Sequence, residues 1–232
     1  MVEYQAILIG ALIGFIGSII GAAVMIGKVK PTIIAGFVGL VLGAAGGYAV
    51  AQSFPSSGEQ RTIQAPFCLA SYFFPTGWMG DAEYGLKYIE FEPNYRACGH
   101  EYDSDSSCIR IHYTVGPSGW AGIYWQYPEN NWGDYAGTRI ENARRISFRA
   151  KGAFGGELVE FKTGGINASD KPFSDKFMAT LGQISLSDEW HRYEINLAGQ
   201  NLSGVLGAFA VVFPAQNNGG GKTIFIDDIK YE

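Results

Sequence analysis

Hydrophobic positions follow two different rhythms along this chain, and the change falls near position 52. From Ala6 to Ile26 every residue is apolar, glycine or serine, and a second such run extends from Thr32 to Ala51. About 21 positions rising about 1.5 Å each give about 31 Å, the depth of a bilayer's hydrocarbon core. Only Gly27 to Pro31 separate the runs, which predicts a hairpin of two antiparallel transmembrane helices over about 6–27 and 31–51. Pro31 suits the first turn of the second helix, where its missing N–H is not needed. A cleaved signal peptide is the competing reading of the first run. Met1 to Gln5 carry no lysine or arginine, and an equally long apolar run follows, so a retained hairpin is the better reading.

Within the hairpin the glycines are spaced. Gly10 and Gly14, Gly17 and Gly21, then Gly39, Gly43 and Gly47 lie four apart and line a smooth stripe, which lets another helix approach closely. The stripes serve packing within the hairpin, or association with a second copy or another membrane protein. No ionisable residue lies inside either run, which argues against a proton, ion or solute pathway. Lys28 and Lys30 in the connecting loop place that loop on the cytoplasmic side, so both termini and the rest of the chain face outward, to a periplasm or cell surface.

After a short tether, residues 52–66, the rhythm becomes that of strands. Cys108 to Val115 alternates, with Ile109, Ile111, Tyr113 and Val115 on one face and Arg110, His112 and Thr114 on the other. Ala121 to Tyr127 is aromatic on both faces. Arg145 to Lys151 places Ile146, Phe148 and Ala150 inward, and Leu158 to Thr163 does the same with Val159 and Phe161. Arg192 to Leu197, Gly207 to Phe213 and Lys222 to Ile229 complete the set. Eight or so short strands, with no convincing amphipathic helix, predict an all-β domain of two packed antiparallel sheets over 67–232. Trp190, in the turn from Asp188 to His191, is expected to cover an open end of the sandwich as part of the core.

Composition sharpens this picture. Of 232 residues, 17 are Lys or Arg and 22 are Asp or Glu, for a net charge of −5, and the first 57 positions hold only Glu3, Lys28 and Lys30 among them. Without a basic block there is no electrostatic footprint for nucleic acid. Glycine, tyrosine, phenylalanine and tryptophan are abundant, as in turn-rich sheet proteins.

Five segments together resemble a known family. They are Gly119 to Gly133 (GWAGIYWQYPENNWG), Ile146 to Gly152, Gly155 to Lys162, Leu186 to Leu197 and Ile224 to Tyr231. In this order they resemble the galactose-binding-like jelly rolls of carbohydrate-binding modules. The resemblance spans roughly 67–232 and leaves the hairpin aside. It implies a two-sheet jelly-roll sandwich that takes sugar on the concave face of one sheet. It also implies a structural calcium between the last strand and the beginning of the domain, with Asp81, Glu83, Asp227 and Asp228 as the nearest ligands. The bare residues allow another account of Asp227 and Asp228, as carboxylates bonded to backbone amides.

Sugars are held by flat rings under their C–H faces and by hydrogen bonds from charged or amide groups. Trp120, Tyr124, Trp125, Tyr127, Trp132 and Tyr135 supply the rings. Strand alternation sets Trp120, Tyr124 and Gln126 on one face and Ile123, Trp125 and Tyr127 on the other, so one set alone faces out. Arg149, Lys151, Glu160, Lys162 and Arg192 supply charge on the expected ligand face, which suits a glycan or a protein. Cys98 and Cys108 bracket a polar loop that a disulfide would close in an oxidising compartment, and Cys68 is left over, expected to be buried. A soft-metal site of Cys98, His100, Cys108 and His112 is the alternative, with no strong spacing pattern behind it. Carboxylate pairs drawn from Glu129, Asp134, Glu157 and Glu160 do not stand out from those of any acidic β-protein, and no nucleophile–histidine arrangement is recoverable. The expected function is therefore a membrane-anchored, non-catalytic binding or assembly subunit. A purely structural subunit of a membrane complex and a glycan-processing enzyme are the alternatives.

Overall fold

The computed structural model describes residues 60–98 and 107–232. The predicted hairpin, its glycine stripes at Gly10, Gly14, Gly17, Gly21, Gly39, Gly43 and Gly47, and the Lys28–Lys30 loop lie outside the described residues. Among those described, no helix is long and apolar enough to cross a membrane.

The described residues contain thirteen strands: β1 (Thr62–Gln64), β2 (Phe67–Cys68), β3 (Phe74–Gly80), β4 (Ile89–Tyr95), β5 (Cys108–Tyr113), β6 (Trp120–Gln126), β7 (Arg139–Glu141), β8 (Arg145–Gly152), β9 (Leu158–Gly164), β10 (Met178–Ser185), β11 (His191–Asn196), β12 (Gly207–Pro214) and β13 (Lys222–Tyr231). A five-stranded sheet runs β10-β9-β12-β6-β3, and a six-stranded sheet runs β11-β8-β13-β5-β4 with β2 on β13. Apart from the small parallel pair β1-β7, the paired strands are antiparallel. The domain is thus a two-sheet jelly-roll sandwich.

The alternation read from sequence is what builds the core. Ile111 and Tyr113, then Ile146, Phe148 and Ala150, then Val159 and Phe161, all point between the sheets and are buried. Phe209 sits at the centre, with ring centroids 5.2 Å from Phe148, 5.5 Å from Trp125 and 5.9 Å from Phe161. Burying such rings contributes on the order of 2 kcal/mol each by area and more through edge-on contacts.

Three differences from the sequence reading bear on the site. First, β3, β4 and β10 are strands that the pattern did not disclose. Pro75 and Gly77, Pro93, and Gly182 interrupt them, and each lies at a register shift where one strand bulges. Second, residues 60–66, expected to be tether, are laid onto the domain. Ile63 is buried, β1 pairs with β7, and Gln60 Nε2 donates to the carbonyls of Gly137 and Ser203 at 2.9 and 2.5 Å. Third, Trp190 packs on the small cluster of Cys98, Cys108 and Phe225 and not in the core between the sheets. It lies half-buried on the outside of the six-stranded sheet, 5.6 Å from the Arg149 guanidinium and 5.5 Å from the Lys151 ammonium.

Candidate ligand-binding face

Strand β6 decides which aromatic side chains are available. Ile123 and Trp125 point into the core, where Trp125 is 2% exposed, and Tyr127 is half-buried beneath the Arg61 guanidinium, 3.3 Å from its ring centroid. Trp120, Gly122, Tyr124 and Gln126 take the outer face. Only Trp120 remains open to solvent there, at 39%. Gly122 has no side chain, and the space a Cβ would need is filled, 2.6 Å from Met79 Cε and 3.5 Å from Trp120 Cζ3. A glycine at this point lets the thioether and the indole settle on the sheet.

The ladders arrange this face in two rows that cross the whole sheet. One reads Met79, Gly122, Val212, Glu160, Gln183, and the other reads Gly77, Tyr124, Ala210, Lys162, Thr180. Five strands at about 4.8 Å spacing make it about 19 Å wide. The residues near its middle are small, so the surface is shallow there, with Trp120 and Met79 at one side and charge at the other. Glu160 accepts a hydrogen bond from Thr180 Oγ1 at 2.8 Å, and Lys162 Nζ stands 5.5 Å from the Tyr124 ring.

Two loops wall one end of the face. Asn131, buried, donates through Nδ2 to the carbonyls of Tyr127 and Tyr135 and accepts at Oδ1 from the amides of Gly133 and Tyr135, which folds residues 127–135 into a compact turn. This sets Trp132 edge-on to Tyr124, with centroids 6.1 Å apart. Asp175 pins the second loop by accepting from the amides of Ile166, Leu206 and Gly207 at 2.9, 2.7 and 3.3 Å. Burial pushes its carboxyl up to about 6 in spite of those three donors. Tyr124, Ile166, Leu206 and Ala210 form a small second core beneath the loops, with Trp132 and Phe173 packed on it. Tyr124 is therefore closed off, its hydroxyl donating to Gly164 O at 2.8 Å, and burial pushes the phenol upward.

The single ligand face expected from sequence is divided among three places. Trp120, Glu160 and Lys162 share the outer face of the five-stranded sheet, with Tyr124, Trp132 and Tyr135 in or under its wall. Trp125 lies between the sheets. Arg149, Lys151 and Arg192 are on the outer face of the other sheet, where Arg192 pairs with Arg149 across the ladder. Alternation discloses which residues face outward but not from which sheet. That second face is an ion network: Arg145 reaches Glu232 at 2.8 Å, and Arg192 reaches Glu232 and Glu194, both at 3.2 Å. The sequence reading also missed Met79, Ala210, Val212, Thr180 and Gln183. Gly122 was legible, one place along from Trp120's neighbour in an alternating strand, but its role needs the partner strand β3.

The carboxylates assigned to calcium do not fit a shared ion. Among the described residues no three His, Cys, Asp or Glu side chains gather as a metal site. Asp81 is fully buried, and its oxygens accept from Tyr113 Oη and the amides of Gly116 and Ser118 at 2.8, 2.8 and 2.7 Å. Glu83 is exposed. Asp227 and Asp228 fall at the bulge of β13, where Asp228 takes φ 55° and pairs with Lys230 at 3.1 Å, and neither side chain is buried. The bulge removes the inward carboxylate that a regular strand would have imposed. Cys98 and Cys108 form a disulfide, with Cα atoms 6.1 Å apart, so they are not thiolate ligands for a soft metal. Cys68 is a free thiol and is exposed, not buried, because β2 is a two-residue strand at the domain's surface.

Several solved structures are similar to this chain, and they are carbohydrate-binding modules. A family 30 module is 15% identical, with 69% of this chain and 95% of that chain covered and a TM-score of 0.46. The family 11 module of a cellulosomal cellulase of Clostridium thermocellum is 14% identical, covering 73% and 95%, with a TM-score of 0.44. A variant of a family 29 module is 13% identical, covering 69% and 89%, with a TM-score of 0.36. No family model and no curated protein matches the chain.

Proposed function

We propose that residues 60–232 are a non-catalytic carbohydrate-binding domain that takes a glycan on the outer face of the five-stranded sheet, and that the glycine-rich hairpin holds the chain in a membrane with this domain outside the cytoplasm. The observation that carries the reading is the exposure of Trp120 on the same face as Glu160 and Lys162. An indole accepts the C–H face of a sugar ring, while the carboxylate and ammonium bond its hydroxyls. Trp120 and the row that carries Lys162 are four positions apart along the strands, about 13 Å, so the face suits a short oligosaccharide laid along β6. The wall of Trp132 and the Asn131 turn closes one end.

Binding of the purified full chain in detergent to an array of neutral and charged glycans tests this. Retention of one glycan class, reduced at least tenfold by Trp120→Ala and by Lys162→Ala, is the expected result. An array with no ligand, or binding indifferent to Trp120, overturns the assignment of this face.

A further inference from the structure

Two of the nine asparagines in this chain open the pattern asparagine, any residue but proline, then serine: Asn167-Ala168-Ser169 and Asn201-Leu202-Ser203. That pattern is the acceptor sequence for transfer of an N-linked glycan, and its use requires a surface loop outside the cytoplasm. Asn167 lies in the loop from β9 to β10 and Asn201 in the loop from β11 to β12, and both are exposed. Two other asparagines have their amides committed. Asn131 Nδ2 donates to the carbonyls of Tyr127 and Tyr135, and Asn218 Nδ2 to those of Leu158 and Pro214, and both side chains are buried.

From the end of β11 the chain makes one small turn twice. Asn196 Oδ1 accepts the amide of Ala198 at 2.9 Å, and Asn201 Oδ1 accepts the amide of Ser203 at 3.1 Å. Both asparagines are exposed, and each is followed by a buried leucine, Leu197 or Leu202, that pins the middle of the turn. Tying the carboxamide by its oxygen leaves Nδ2 as its free end, and a donor on Oδ1 draws charge to the oxygen and makes an Nδ2 proton easier to remove. The two turns differ in chemistry at the third position, where Ala198 has no hydroxyl and Ser203 has one. The remaining contacts of the second turn run through its backbone: Leu202 O accepts from the Ile140 amide at 3.0 Å and Ser203 O from Gln60 Nε2 at 2.5 Å. A group added to Asn201 Nδ2 therefore displaces none of them. Asn167 carries the sequence pattern without a turn bond of this kind among the described residues.

We propose that Asn201 is an N-glycosylation acceptor, modified at Nδ2 by an oligosaccharide carried on a polyprenyl phosphate. The inference rests on the reading that puts this domain outside the cytoplasm, and not on the assignment of the Trp120 face. The bond from Nδ2 to C1 of the sugar forms as the bond from C1 to the phosphate oxygen breaks. The polyprenyl phosphate leaves with that electron pair, and the Nδ2 proton passes to a base of the membrane transferase. Asn196, with the same turn and the same leucine, is not an acceptor because Ala198 lacks the hydroxyl. The attached glycan stands beside Gln60, where the chain enters the domain.

The test uses the full chain, purified in detergent from its native membrane. Its tryptic peptide 193–222 holds Asn196 and Asn201 together and is sequenced by electron-transfer fragmentation. The expected result is a mass increment of one or more sugar residues on Asn201 and none on Asn196. Made in the same host, Asn201→Gln and Ser203→Ala should lose the increment and Ser203→Thr should keep it. Ala198→Ser, at an exposed position, should add a second increment on Asn196. An unmodified peptide overturns the proposal, as do an increment that survives Asn201→Gln or Ser203→Ala, modification confined to Asn167, and an Ala198→Ser chain without the second increment. The state of Cys98 and Cys108 in the same sample separates the two readings when Asn201 is bare. If they are joined, the outward placement stands and this site alone falls; if both alkylate without reduction, the outward placement falls with it.

Discussion

Tyr113 donates its hydroxyl to Asp81 Oδ2 at 2.8 Å, joining strand β5 to the turn that follows β3, and both side chains are buried. Burial pushes the Asp81 carboxyl upward, but the Ser118 amide, the Tyr113 hydroxyl and the Gly116 amide outweigh it and hold the group below the usual carboxylate range. A carboxyl depressed on folding contributes stability that is fully present above its unfolded value, about 3.9, and is lost as pH falls through the lower folded value. Asp81→Ala is expected to cost about 3 kcal/mol at neutral pH, since three donors lose their acceptor. Thermal melts from pH 7 to pH 2 check both statements: the wild type should lose stability below about pH 4, and the variant should lose less of it there.

Asp175 has the opposite sign. Its folded value is raised to about 6 by burial, so the folded state holds the proton more tightly than the unfolded chain does. Its contribution is present below about pH 4 and is lost as pH rises toward 6. Chemical denaturation at pH 4.5 and pH 7 in wild type and Asp175→Asn is the check. The variant should show a smaller decline across that window, and an identical decline in both would remove Asp175 as the cause.

Trp120 and Trp125 are five places apart on one strand and should respond to truncation in different assays. Trp125→Ala opens a hole beside Phe209 and Phe91 and is expected to cost about 3–5 kcal/mol. Trp120→Ala should change stability by no more than about 0.5 kcal/mol and act on glycan binding instead. Urea titrations of the two variants separate these outcomes.

Reduction of Cys98–Cys108 should destabilise the domain by about 3 kcal/mol, from the loop entropy of a sequence separation of 10. It should also be visible optically. Trp190 Nε1 donates to Cys98 O at 3.2 Å, so its fluorescence should shift when the loop is released. A Cys98→Ser, Cys108→Ser variant with unchanged stability and emission would contradict this.

Much of the sandwich was legible because its central strands obey a two-residue period. Ile146, Phe148 and Ala150, or Val159 and Phe161, leave no doubt about which way a strand faces. What the period does not carry is which strands lie side by side, and so Arg149 and Lys162, both outward, seemed to share one surface. Edge strands were the hardest to see. Pro75 and Pro93 suppress the pattern because they protect an unpaired edge. The disulfide was readable from two cysteines around a polar loop. Asp227 and Asp228 were misleading for a local reason: a bulge, invisible in sequence, turns both carboxylates out.

The fixing of Gln60 has a mechanical side. Any pull arriving through the chain from residues before it meets first the two hydrogen bonds from its amide to Gly137 and Ser203, and then the three parallel rungs of β1 on β7. Those contacts are separate from the two large sheets, whose ladders would stay unloaded until β1 had come away. The segment from Gln60 to Gln64 is placed to yield before the sandwich does, so tension would lengthen that segment while the five-stranded sheet kept its shape.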